Sequence, residues 1–151
     1  MATTVTHRDR RDSQPDEQPS DIRTTARRYG AFNLVAGALG LVGPLVWGND
    51  DDLINLGAGL FLGRIAVNSP HAALHAVHGL HGIRAGRDAE SARRYMGVSG
   101  AFFALFAAVG IGKFGFERGV HHVAGLAVDG YGNAGHAVLS AFSVLALSRN
   151  D

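Results

Sequence analysis

The sequence predicts an all-α protein: a four-helix transmembrane bundle with both termini cytoplasmic. Three observations lead there: four long uncharged tracts, their lengths, and the placement of Lys and Arg around them. Residues 29–48, 65–83, 95–112 and 130–148 contain no Asp, Glu, Lys or Arg. About a quarter of the residues of a soluble domain are charged, so a 19-residue window of this kind is charge-free well under ~1% of the time. Each tract also approaches the ~20 residues a helix needs to cross a hydrocarbon core. A soluble bundle of buried Gly- and Ala-rich helices is the alternative, but such helices keep a charged face. None of these four does over its central turns.

The remaining composition narrows the possibilities. The chain has 151 residues, room for one domain, and a formal net charge of +1, which gives no pull toward nucleic acid. It has no cysteine, which excludes disulfides, thiolate metal sites and iron–sulfur clusters. Mean hydropathy is only slightly positive because a polar N-terminal stretch offsets an apolar remainder.

Taken in order, residues 1–26 read as a disordered polar cytoplasmic tail, with too little apolar surface to order itself and no apolar segment resembling a secretory signal. Residues 27–151 form the transmembrane domain, with spans at about 29–47, 66–84, 94–112 and 131–148. Arg23, Arg27 and Arg28 precede the first span; Arg84, Arg87, Arg93 and Arg94 lie between the second and third; Arg149 follows the fourth. The opposite side holds only Arg64, Lys113 and Arg118, beside the acidic run Asp50–Asp51–Asp52. The basic side is the cytoplasmic one, which requires an even number of spans in a cell-membrane, multi-pass protein. Pro44 and Trp47 suit the outer end of span one. The apolar segment 53–64 is too short to cross, and reads as a re-entrant or interfacial piece or an extension of span two. Ser69 and Pro70 resemble an N-cap and first-turn proline.

Lipid offers no hydrophobic drive for helix association, so close backbone approach must supply it. Gly100, Ala104, Ala108 and Gly112 form such a row in span three, for packing within the bundle or for a homo-oligomer. Gly37, Gly40 and Gly43 recur in span one.

Two spans carry polar stripes. Asn68, His71, His75 and His78 fall within roughly 80° of one face of span two, with His81 at its edge; Asn133, His136, Ser140 and Ser143 do the same in span four. His71 and His136 each stand six residues into their uncharged tracts, so the two faces lie at similar depth and are expected to meet. Three readings are open. The polar groups organise the bundle by hydrogen bonding across helices. Alternatively His71, His75 and His136 bind a divalent metal, zinc or copper, or haem. The third reading is a proton or small-solute path, against which counts the lack of Asp or Glu inside a span. Nothing points to an enzyme. His121 and His122 read as ordinary loop residues, with outer metal capture as the alternative.

The segment 68–79, with Asn68, His71, His75 and Gly79 in the spacing Asn-x-x-His-x-x-x-His, resembles an uncharacterised family of four-helix integral membrane proteins of bacteria and archaea. Asn133 and His136 match a second family pattern before the last helix. Pro70 is displaced by one position, Ala72 stands where the family usually has Asn, and Gly132 replaces an Asp. The resemblance covers about residues 27–147 and implies a membrane protein with no assigned activity.

Overall fold

The computed structural model describes residues 21–48 and 53–150. Four helices dominate: α1 (Ile22–Gly40), α2 (Ser69–Ala85), α3 (Ala89–Phe114) and α4 (Gly130–Ser148). The expectation of an all-α chain is corrected by two small antiparallel sheets. β1 (Val46–Trp47), β2 (Ala58–Phe61) and β3 (Ile65–Asn68) form one; β4 (His121–Val123) and β5 (Leu126–Val128) form the other. Their segments are apolar but rich in β-branched and aromatic residues, and glycine supplies the turns. The β4–β5 connection is a two-residue turn in which Ala124 and Gly125 both have positive φ, 51° and 81°. Segment 53–64, expected as a re-entrant or interfacial piece, instead supplies β2 and the turn into β3.

The helix limits shift accordingly. α1 starts earlier than span one was expected to, because the Asp21 side chain caps it by accepting from Arg23 N–H at 3.1 Å. Ile22 and Ala26 are buried, so the tail expected over residues 1–26 does not include 22–26; its residues 1–20, like Asp50–Asp51–Asp52, lie outside the described residues. α1 also ends earlier, at Gly40. Pro44, in a short 3₁₀ turn, lacks the N–H that a continuing helix needs. The cap of α2 is Asn68, whose Oδ1 accepts from His71 N–H at 3.2 Å, so Ser69 is the first helical residue and not the cap. Pro70 sits in the first turn as expected.

The helices pair as two antiparallel hairpins, α1 with α2 and α3 with α4. Glycine permits the first pairing: a Cβ on Gly79 would lie 2.5 Å from the Gly30 carbonyl oxygen, and one on Gly37 would lie 2.5 Å from that of Ala72. In α3 the expected small-residue row splits. Gly100 is buried against Ser143 and Val144, whereas Ala104, Ala108 and Gly112 face outward. A strict i+4 row drifts about 40° around the helix per step and leaves the interface within three steps. The buried face of α3 runs instead through Met96, Ser99, Phe103, Ala107 and Gly110.

Both sheets sit at the end where α2 and α4 begin, joined by Asn68 Nδ2–H donating to the Gly125 carbonyl at 2.9 Å. The opposite end holds an apolar core of Ile22, Ala26, Tyr29, Ala85, Tyr95 and Met96 among others. Between them the polarity is inverted relative to a water-soluble fold. Asn33, Ser99, Asn133 and Ser143 are 0% exposed, while Phe32, Val77, Leu105 and Val138 are 59–68% exposed. Among the described residues α3 is the one helix long and apolar enough, by composition, to cross a membrane.

Candidate metal centre

α2 sets His71 and His75 one turn apart on one face, with ring centroids separated by 5.1 Å. α4 brings His136 against both, 5.4 Å from the His71 ring and 5.6 Å from that of His75. One ring nitrogen from each lies within 4.8 Å of the other two. His75 Nε2 and His136 Nε2 stand 3.4 Å apart.

Hydrogen bonds define the tautomers of two of the three. His71 Nδ1 is 2.7 Å from the Ala127 carbonyl oxygen, which can only accept, so Nδ1 carries the proton and donates. His75 Nδ1 is 2.9 Å from Asn33 Oδ1. Asn33 Nδ2 donates to the Tyr29 carbonyl at 2.9 Å, which orients that amide with its oxygen toward His75. His75 therefore also donates from Nδ1, and both rings keep an unprotonated Nε2, that of His75 facing His136 Nε2 at 3.4 Å. An imidazole whose other nitrogen donates to a carbonyl or amide oxygen is the usual arrangement of a metal-binding histidine. His136 Nδ1 is buried and has no partner among the described residues.

Aromatic rings enclose the trio on the α3 side. Phe103 lies over both His75 and His136, at 5.6 and 5.4 Å, and Phe106 meets His136 edge-on at 5.0 Å. The space left there is about 10 Å³, enough for about one water-sized group. On the other side an apolar groove of about 520 Å³ runs between α1, α4 and the β2–β3 hairpin, with Phe32, Val35, Leu39 and Val138 among its walls and the three histidines reached at its floor.

The remaining polar residues singled out in the sequence divide by role. Asn68 stays at the helix start, its Oδ1 accepting from both His71 N–H and Ala127 N–H, and holds the β4–β5 hairpin in place rather than joining the trio. His78 lies one turn further along, its Nε2 3.0 Å from Ser99 Oγ, tying α2 to α3. Ser140 Oγ–H donates to the Gly100 carbonyl at 2.8 Å, tying α4 to α3. Asn133 is fully buried against Gly110, where no Cβ would fit, and neither of its amide atoms finds a partner among the described residues. His81 is exposed beside Tyr95. His121 stacks on Phe114 at 4.6 Å, and neither it nor His122 joins the trio.

Two residues were given no role by the sequence. Asn33 is the one amide in the first uncharged tract, and a lone amide there is the signal that would have found it. Asp129 is fully buried and caps α4, its Oδ1 accepting from Gly132 N–H at 2.8 Å. Its place just before an uncharged tract that begins with Gly-x-Gly is a cap signal.

Fold and site together define a helical-bundle protein with a buried three-histidine cluster. The chain belongs to the family described as Domain of unknown function (DUF4383), which matches residues 23–148. No curated protein and no solved structure matches it.

Proposed function

We propose that this is a multi-pass membrane protein in which α1 to α4 cross the bilayer with both ends cytoplasmic, and in which His71, His75 and His136 hold one zinc or copper ion. The inverted polarity supports the membrane part. α4 buries Asn133, His136, Ser140 and Ser143 and exposes Val138, Phe142, Val144 and Leu145, which costs free energy in water and not in hydrocarbon. The 17 to 19 residues of α1, α2 and α4 span about 25–29 Å, close to the ~30 Å of a bilayer core. Arg84, Arg87, Arg93 and Arg94 crowd the end away from the sheets, as a cytoplasmic face requires.

The observation that carries the metal reading is the pair of Nε2 atoms 3.4 Å apart. Two imidazoles bound to one tetrahedral ion at about 2.0–2.1 Å have their nitrogens about 3.4 Å apart. Neutral nitrogen donors without a carboxylate favour zinc or copper over magnesium or calcium. A porphyrin would have to displace Phe103 from the two rings it covers, whereas a single ion leaves it in place. The other polar groups of the cluster organise the bundle, since Asn33, Ser99 and Ser140 each bond across a helix pair or along the backbone.

The test is elemental analysis of the full chain purified in mild detergent. About one equivalent of zinc or copper is expected per chain, and His75→Gln is expected to remove it while helical content stays unchanged. Metal-free protein that takes up neither ion on addition would overturn the assignment.

A further inference from the structure

Away from His71, His75 and His136, a third cavity of about 490 Å³, with His78 and His81 on its α2 wall, opens between the last turns of α2 and the first turns of α3. Arg84, Arg87 and Arg94 line it, with Asp88, Ser91 and Tyr95. The three guanidiniums come from α2, from the link and from α3, so they approach one space from different elements. Arg94 is shared with Glu90 at 3.1 Å. Arg84 and Arg87 have no carboxylate within ion-pair distance among the described residues. Asp88 is engaged at the start of α3, where its Oδ1 accepts from Ser91 N–H at 2.8 Å. That backbone bond and a bond from the Ser91 hydroxyl hold its carboxyl below the usual range. Two carboxylates, Asp88 and the Glu90 that pairs with Arg94, against three guanidiniums leave the cavity with a positive excess of one.

The cavity is also amphipathic along its length. From the arginines it passes Val98, 61% exposed, and the seam between α2 and α3 continues to Phe102 and Leu74, which are 37% and 38% exposed. A positive pocket at one end and an exposed apolar seam leading from it match a molecule with an anionic head and an apolar tail. Basic pockets between helices at the cytoplasmic surface are sites for anionic lipid headgroups, and guanidinium forks suit phosphate oxygens.

We infer that the cavity lined by Arg84, Arg87 and Arg94 binds the phosphate headgroup of one anionic phospholipid of the cytoplasmic leaflet, with an acyl chain lying along Val98 and Phe102. This inference rests on the membrane reading above but not on the metal. It assigns the α2–α3 arginines a specific ligand in addition to their part in setting orientation.

The experiment is native mass spectrometry of the full chain in mild detergent, titrated with phosphatidylglycerol, with phosphatidylcholine, and with inorganic phosphate alone. One retained phosphatidylglycerol per chain is expected, in preference to phosphatidylcholine. Each arginine near an anionic lipid surface is worth about fivefold in affinity, so the double variant R84Q/R87Q is expected to bind about 25-fold more weakly. Arg93 is the control: it lies on the same turn, but its Nη2–H donates to the Asn150 carbonyl at 2.9 Å, and R93Q is expected to bind as the unaltered chain does. Equal retention of the two lipids, or equal losses in R93Q and R84Q/R87Q, would overturn the inference. Inorganic phosphate displacing the lipid at matching concentration would overturn the lipid assignment in favour of a free-oxyanion site. Failure of the membrane reading itself would show separately, as chain recovered from the aqueous fraction before any lipid is added.

Discussion

Adding one methyl group at Gly79 tests how α1 and α2 come together. In Gly79→Ala the new Cβ would stand 2.5 Å from the Gly30 carbonyl oxygen and 2.7 Å from Leu34 Cα. Both contacts are backbone, so no side-chain rotation relieves them. Restoring an ordinary separation needs α1 to move by roughly 1 Å, and overpacking of this kind costs about 1–3 kcal/mol. Alanine's higher helix propensity returns about 1 kcal/mol at most. Gly112→Ala makes the same chemical change in α3, where nothing lies within 4 Å of the new methyl. Propensity then acts alone, and the expected change is a gain of up to about 1 kcal/mol. The two variants should therefore differ by about 1–3 kcal/mol in unfolding free energy, measured by denaturing-detergent titration in mixed micelles. Because Asn33 rides on α1, Gly79→Ala is also expected to weaken the bond from Asn33 to His75. Equal stability of the two variants would refute the close approach of α1 and α2.

The other expectations concern the site and the orientation. Asn33→Ala removes the acceptor that holds His75 with its Nε2 unprotonated, and metal affinity should fall by about 10- to 100-fold in a competition titration with a chromogenic chelator. An unchanged affinity would mean that Asn33 serves only the helix pairing. Reporter fusions at Met1 and at Asp151 should both report the cytoplasm, and fusions on opposite sides would remove the even number of crossings.

Much of the helical layout was legible because the absence of charge is a long-range signal that needs no partner. The tract 130–148 coincides with α4, and the Arg-rich link separates α2 from α3. The ends of α1 and α2 were less legible. Residues 41–48 and, apart from Arg64, 58–68 are as uncharged or apolar as the helices beside them, so composition did not separate strand from span. The cues that did separate them were local: Pro44, the glycines of the turns, and the Asp21 and Asn68 caps. For the candidate site, the i, i+4 spacing placed His71 and His75 on one face, and equal depth placed His136 opposite. The groups that orient the rings were not readable in the same way. The Ala127 carbonyl reaches His71 only because the β4–β5 hairpin folds over the start of α2, a contact across 56 residues of sequence. The small-residue row in α3 does not stay within the bundle, because a spacing of four departs from the 3.6-residue turn and the deviation grows with each step.

Everything proposed for the site turns on one ion held among His71, His75 and His136. X-ray absorption at the metal edge of the reconstituted full chain tests it most directly. Three imidazole nitrogens at about 2.0–2.1 Å and one further light donor in a four-coordinate shell are expected. A six-coordinate oxygen shell without imidazole scattering, unchanged in His75→Gln, would contradict it.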